Sequence, residues 1–338
     1  MRKLIPAVVL FFLCCNAIPA ARTLDFYFID TEGGQATLIV TPSGQSLLVD
    51  AGWPGFNGRD ADRIIAAAKA AKVKKIDYLL VTHYHSDHVG GVPQLAAKFP
   101  VGVFVDKGPL QEFTKGPQQL FAAYEEVIAK RKRLVVKEGD TLPVKGVDIQ
   151  FVCAAGNLIT VPVKGAGQPN ALCGSEAPKK PDASENAMSA GFVLTYNDKF
   201  RFLDLGDLTW NKEMELVCPK NNLGKIDVYL TTHHGLDQSN PATLVHAVAP
   251  RVAIMNNGAK KGGSPSAWQI IRKSPGLEDL WQLHFSVAGG AANNSPDSFI
   301  ANVEEKCEGK WIKMSVQPNG DFTIVNSRNK FSKTYKAR

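Results

Sequence analysis

Three histidines and an aspartate stand within six residues, in His83-Tyr84-His85-Ser86-Asp87-His88. Two more histidines, His233-His234, begin 150 residues beyond His83. The chain has seven histidines in all, so most of its imidazole is gathered at these two places. Imidazole nitrogens and carboxylate oxygens are the donors that zinc accepts. His83 and His85 can converge on one cation, and Asp87 and His88 can turn to a second. A plain surface cluster is the alternative. A core cluster is excluded, because burying so many polar groups without partners is too costly. Gly90-Gly91 follows at once and lets the chain leave the crowded loop for the next helix.

The elements around these residues must bring them together. Residues 76–82, rich in Leu and Val, read as a strand running into the first cluster, and 228–231 as a strand running toward the second. The two stretches are weak copies of each other. Lys75-Ile76-Asp77 through Thr82-His83 matches Lys225-Ile226-Asp227 through Thr232-His233 at an offset of 150 residues. Upstream of each copy a strand ends in acid and glycine, at Asp50-Ala51-Gly52 and at Asp204-Leu205-Gly206-Asp207. Two such halves would meet around a shared site. Further strands are expected at 24–29, 36–40, 46–50, 101–105, 147–153 and 252–255. Helices are expected at 59–72 and 118–133, the second ending in a basic run from Lys130 to Arg133. Asn197-Asp198 and Pro318-Asn319-Gly320 are hairpin signals. Residues 156–181 form a long Gly/Pro/Lys-rich loop suited to a functional rim. Strands alternating with helices point to an α/β architecture.

The 338 residues are 44% apolar and 21% charged, which excludes a disordered, collagen-like or coiled-coil protein. The formal charge of +7 suits an acidic substrate or surface. Arg2 and Lys3, an apolar run over 4–15 and small residues over 17–21 form a secretory leader, 1–21, too short to span a bilayer. No later run of 18 apolar residues exists, so no stable membrane span is expected after leader removal. The mature chain is then secreted or periplasmic. Cys153, Cys173, Cys218 and Cys307 remain; two disulfides in three connectivities are open, as are four thiols.

The run Thr82-His83-Tyr84-His85-Ser86-Asp87-His88-Val89-Gly90-Gly91 resembles the signature of the metallo-β-lactamase superfamily, and the likeness extends in order from about residue 24 to about 290. The resemblance implies a four-layer αβ/βα sandwich over 22–300, here with a short C-terminal β-hairpin extension over 301–338. It implies two zinc ions per chain, with iron or manganese as alternatives. By carry-over, His83, His85 and Asp207 hold one metal, and Asp87, His88, Asp207 and His233 the other. His234 competes with His233, and the internal repeat favours His233. Asp50 supports a ligating histidine. The family's further histidine, before the strand leading to Asp207, is missing; that stretch reads Ser184-Glu185-Asn186-Ala187-Met188-Ser189. This is similar to the subgroup holding the hydrolase domain of DNA-uptake channels and the phosphorylcholine esterases. One metal is thereby left with fewer protein ligands, and mild chelation should strip it first.

The function implied is a secreted dinuclear zinc hydrolase whose metal-activated hydroxide attacks a phosphodiester, small or polymeric. Asp87, Asp207 and His234 are the catalytic candidates, and Asn186 and Asn256 the candidates for contacting substrate or supporting ligands. An ester, lactone or amide, including a β-lactam, is the alternative substrate. A non-catalytic binding module, for example for nucleic acid, is the alternative of another class, against which stands the survival of six of the seven usual ligands. Trp53 can wall the pocket or pack in the core, whereas His246 and His284 are expected to be structural.

Overall fold

A computed structural model describes residues 22–338; the expected leader lies outside the described residues. The first half builds strands β1 (Leu24–Phe28), β2 (Thr37–Val40), β3 (Ser46–Val49), β4 (Ile76–Val81), β5 (Val101–Asp106) and β6 (Lys132–Val135). The second builds β7 (Thr141–Leu142), β8 (Asp148–Ala154), β9 (Asn157–Leu158), β10 (Gln168–Pro169), β11 (Gly191–Tyr196), β12 (Phe200–Asp204), β13 (Lys220–Asn221), β14 (Val228–Leu230), β15 (Val252–Met255), β16 (Asp279–His284) and β17 (Ile300–Asn302). The C-terminal segment adds β18 (Ile312–Val316), β19 (Phe322–Asn326) and β20 (Ser332–Tyr335).

Two large sheets result. One runs β20-β19-β18-β1-β2-β3-β4-β5-β6 and the other β17-β16-β15-β14-β12-β11-β8-β7, with β9 on β8. Side chains alternate across each strand. In β1, Phe26 and Phe28 face the other sheet and join Phe192 and Phe202 there, while Tyr27 turns to the helical side. Helices α1 (Arg59–Ala70), α2 (Ser86–Val89), α3 (Val92–Lys98) and α4 (Lys115–Ile128) belong to the first half. The apolar stripes of α1, α3 and α4, with Ile64, Leu95 and Tyr124, cover the outer face of the first sheet. Leu216, Leu244 and Ile271, from α5 (Trp210–Val217), α6 (Ala242–Val248) and α7 (Pro265–Arg272), cover the second. The order of layers is helix, sheet, sheet, helix, the sandwich expected from the sequence. No helix among the described residues is long and apolar enough to cross a membrane.

The helix expected at 118–133 begins earlier and stops at Ile128. Its basic end is instead the edge strand β6, parallel to β5. Arg133 is held there by two charge-assisted bonds to the buried Asp106 carboxylate, at 2.7 and 2.8 Å. That long-range pair outweighs local helix propensity. The C-terminal hairpin gains a third strand and continues the first sheet through β1, with Met314 and Ile324 in the core between the sheets.

The repeat is visible in three dimensions. β3 pairs in parallel with β4, and β12 in parallel with β14. In each pair the Asp of the Lys-Ile-Asp motif accepts a backbone amide at the start of its neighbour: Asp77 from Ser46 at 3.0 Å, Asp227 from Arg201, the second residue of β12, at 2.9 Å. The chemistry-bearing residues all follow the carboxyl ends of these strands, where α/β sheets bind ligands. Of the four mature cysteines, Cys173 and Cys218 are joined; Cys153 is buried and Cys307 half-buried, both as thiols.

Candidate metal centre

Asp50, directly after β3, fixes the first strand end. Its backbone is left-handed, with φ of 60°, a conformation a non-glycine residue keeps only where its surroundings hold it. Its Oδ1 accepts the Thr82 amide at 2.8 Å and its Oδ2 the Thr82 hydroxyl at 2.7 Å. The same Oδ2 accepts His88 Nδ1–H at 2.7 Å. With Nδ1 committed to Asp50, Nε2 is the nitrogen of His88 that faces inward, the usual outer-carboxylate arrangement of a metal-binding histidine.

His88 Nε2 lies 3.3 Å from Asp87 Oδ2, 3.2 Å from Asp207 Oδ2 and 3.2 Å from His234 Nε2. His234 Nε2 is 3.1 Å from Asp87 Oδ2 and 3.4 Å from Asp207 Oδ1. Donor atoms of these four buried residues all lie within 4.8 Å of one another. A second group adjoins it. His83 Nε2 is 3.2 Å from His85 Nδ1 and 3.9 Å from Asp207 Oδ2. His85 Nε2 donates to Glu112 at 3.0 Å, which leaves Nδ1 to face His83. Asn186 Oδ1 is 2.7 Å from that Nδ1, so the residue in the place of the missing histidine presents an oxygen to the same point. Asp207 stands between the two groups.

His233 and His234 form a turn in which both have left-handed backbones, φ 54° and 56°. The turn carries His234 into the four-residue group, whereas the repeat had favoured His233. His233 Nε2 sits 3.4 Å from Asp207 Oδ2 and lines the same centre. The glycines after the first cluster act through space rather than through unusual backbone. A Cβ on Gly91 would meet Ala51 O at 2.0 Å, and one on Gly90 would meet Pro54 Cδ at 2.3 Å.

Charge is balanced by mutual pairing. Burial works against ionised Asp87 and Asp207, but their histidine neighbours, and Lys261 beside Asp87, hold both carboxyls well below the usual range. Burial also disfavours a charged His88, yet Asp207, Asp87 and Asp50 keep it well above its ordinary value. Burial and the neighbouring His88 push His83 well below. A dication is the natural partner for such a set, because it replaces protons shared among the same donors. One buried atom at the centre, Asp207 Oδ1, has no hydrogen-bond partner, which fits a group that a bound cation would complete.

Several contributors come from distant elements. Lys261, in the loop between β15 and α7, pairs with Asp87 Oδ2 and lies 4.8 Å over the Trp53 ring, which makes Trp53 a wall of the centre. Asn256, a candidate for contacting substrate or supporting ligands, is buried and donates to Gln35 Oε1 at 3.2 Å, and Gln35 donates to Asp204 at 2.8 Å. Glu185 is turned away to a buried pair with Lys107 at 3.0 Å. His246 bonds the Ile270 carbonyl and His284 bonds Asp30, both outside the centre.

Residues 29–163 match the family description Metallo-beta-lactamase superfamily. The chain carries a metallo-β-lactamase superfamily domain. It is 27% identical over 225 residues to a UPF0173 metal-dependent hydrolase of Anaeromyxobacter dehalogenans, a match covering 66% of this chain and 71% of that one. It is 26% identical to ComE operon protein 3 of Bacillus subtilis over 196 residues, 58% of this chain but 22% of that much longer one. Among solved structures it is similar to Igni18, a metallo hydrolase of Ignicoccus hospitalis, at 13% identity and a TM-score of 0.45, covering 76% of this chain and 94% of that one. The matched residues include the whole His83–His88 cluster, and the first of these relatives is named a metal-dependent hydrolase.

Proposed function

We propose that the protein is an exported dinuclear zinc hydrolase acting on a phosphodiester. The observation that carries the reading is the position of Asp207, whose carboxylate lies within 4 Å of His83, His88, His233 and His234 and keeps one oxygen without a hydrogen bond. His83, His85, Asn186 and Asp207 would hold one ion, and Asp87, His88, Asp207 and His234 the other. When bound, such a pair acts as a Lewis acid toward substrate oxygens and lowers the pKa of water. The chain's own residues do the rest. Asp50 and Glu112 fix which nitrogen of His88 and His85 faces inward. Lys261, 30% exposed at the mouth, offers a cation to an anionic substrate once Asp87 is engaged elsewhere. His233, at the surface of the centre, stands where a leaving oxygen could take a proton.

Export is supported by the leader pattern over 1–21 and by the Cys173–Cys218 disulfide, a bond of oxidising compartments. The test is hydrolysis of a chromogenic phosphodiester beside an aryl acetate, a lactone and a cephalosporin by zinc-loaded protein. Turnover of the phosphodiester at least about tenfold above the others, a difference of roughly 1.4 kcal/mol, is expected. Preference for the neutral ester or the lactam would overturn the substrate assignment.

A further inference from the structure

A second group of metal-ligand side chains lies outside the centre described above. Asp30, just past β1, His284, at the end of β16, and Cys307, in the segment leading to β18, meet on the outer side of the first loop. His284 Nε2 is 2.8 Å from Asp30 Oδ1, Cys307 Sγ is 3.2 Å from Asp30 Oδ2, and Sγ is 3.8 Å from His284 Nε2. Asp30 and His284 are buried and Cys307 is half-buried. Glu32 Oε1 stands 4.0 Å from the sulfur.

We propose that Asp30, His284 and Cys307 form a separate site for one thiolate-preferring transition-metal ion, zinc or cobalt, with Glu32 or water as fourth ligand. A tetrahedral zinc with bonds of about 2.0–2.3 Å has ligand-to-ligand edges of about 3.3–3.6 Å. His284 Nε2 stands 2.8 Å from one Asp30 oxygen, Cys307 Sγ 3.2 Å from the other, and nitrogen and sulfur are 3.8 Å apart, so one carboxylate oxygen, the nitrogen and the sulfur can meet one ion once the Asp30 carboxylate turns. The donor set, one sulfur, one nitrogen and one oxygen, suits a borderline ion and disfavours magnesium or calcium. Arg63 donates to Asp30 Oδ2 at 2.9 Å and to Glu32 at 3.1 Å, the outer bonding that orients ligating carboxylates. A cleft of about 180 Å³ lined by Ala301, Cys307 and Lys310 gives access to the sulfur. The site would clip the C-terminal segment to the loop through Gly33 and Gly34, which lies against Lys261 and Asp87.

The test uses the full chain equilibrated with cobalt(II). The ligands of the catalytic centre include no sulfur, so a thiolate-to-cobalt charge-transfer band reports the new site alone. The band is expected in the wild type and in Cys153→Ser, and absent in Cys307→Ser, with bound cobalt lower by one per chain. X-ray absorption of the wild type, which needs no variant, should show a sulfur neighbour at about 2.3 Å. A wild type saturated with cobalt that shows neither band nor sulfur neighbour would overturn the proposal, as would an undiminished band in Cys307→Ser.

Discussion

Asp50 holds the Thr82 amide, the Thr82 hydroxyl and His88 at once, which is why a strand end one turn from the metal ligands decides where an imidazole points. At this scale the sequence was most legible where donors are consecutive. His83, His85, Asp87 and His88 announce themselves because one loop carries them all. Glu112, Lys261 and Gln35 do not, because each reaches the centre from a separate element and is an ordinary polar residue in its local context. Which of His233 and His234 joins the four-residue group depends on two left-handed residues that the repeat does not encode. Lys261→Ala should raise KM for an anionic phosphodiester about tenfold with kcat within about twofold, since a side chain that binds ground and transition states alike acts on KM. Steady-state kinetics decide it; an unchanged KM would remove Lys261 from substrate binding. A second residue carries a pH dependence. Glu213 is buried, and burial pushes its carboxyl from 4.5 up to about 8, with the Asn240 amide donating to it at 2.6 Å. Between those pH values the folded protein keeps a proton that the unfolded chain has released. Stability from this group therefore declines as pH rises through that window, by up to about 1.4 kcal/mol per unit. Glu213→Gln should flatten the slope of unfolding free energy between pH 5 and 8; an identical slope would contradict the assignment.

Among elements, the strands leading to the site were readable from Leu/Val runs and flanking Asp and Gly. Edges and crossings were not. β6 is an exposed strand held by Asp106–Arg133, and its basic run looks helical when only neighbours along the chain are considered. β16 and α7 gave no separate signal, since short buried strands and short helices lack a period long enough to detect. The loop over 156–181 is anchored rather than free, because β10 pairs β13 and Cys173 bonds Cys218 beside it. Closing a loop of 45 residues removes roughly 4 kcal/mol of unfolded-chain entropy. Cys173→Ser with Cys218→Ser should lower the unfolding free energy by about 2–4 kcal/mol while leaving turnover within about threefold. Denaturant titration and a rate assay check both parts; an unchanged midpoint would show that the bridge adds no stability.

At the scale of the whole molecule, the centre belongs to neither half alone. The strand pairs β3–β4 and β12–β14 bring their carboxyl ends together, and the first half supplies His83, His85, Asp87 and His88 while the second supplies Asp207, His233 and His234. The repeat made this junction visible in the sequence; the shared carboxylate is what makes it a single chemical unit. Removing Asp207 would leave two cations facing each other without the charge between them. The most direct measurement is therefore metal per chain, by elemental analysis, together with the phosphodiester hydrolysis rate, for the wild type, Asp207→Ala and His246→Ala. Beyond the one ion proposed at Asp30, His284 and Cys307, we expect two metal ions per chain and full turnover in the wild type and in His246→Ala, and in Asp207→Ala a loss of bound metal with a rate lower by more than about 100-fold, beyond what loss of an outer-shell partner costs. An Asp207→Ala protein that keeps both its metal and its turnover would contradict the dinuclear centre.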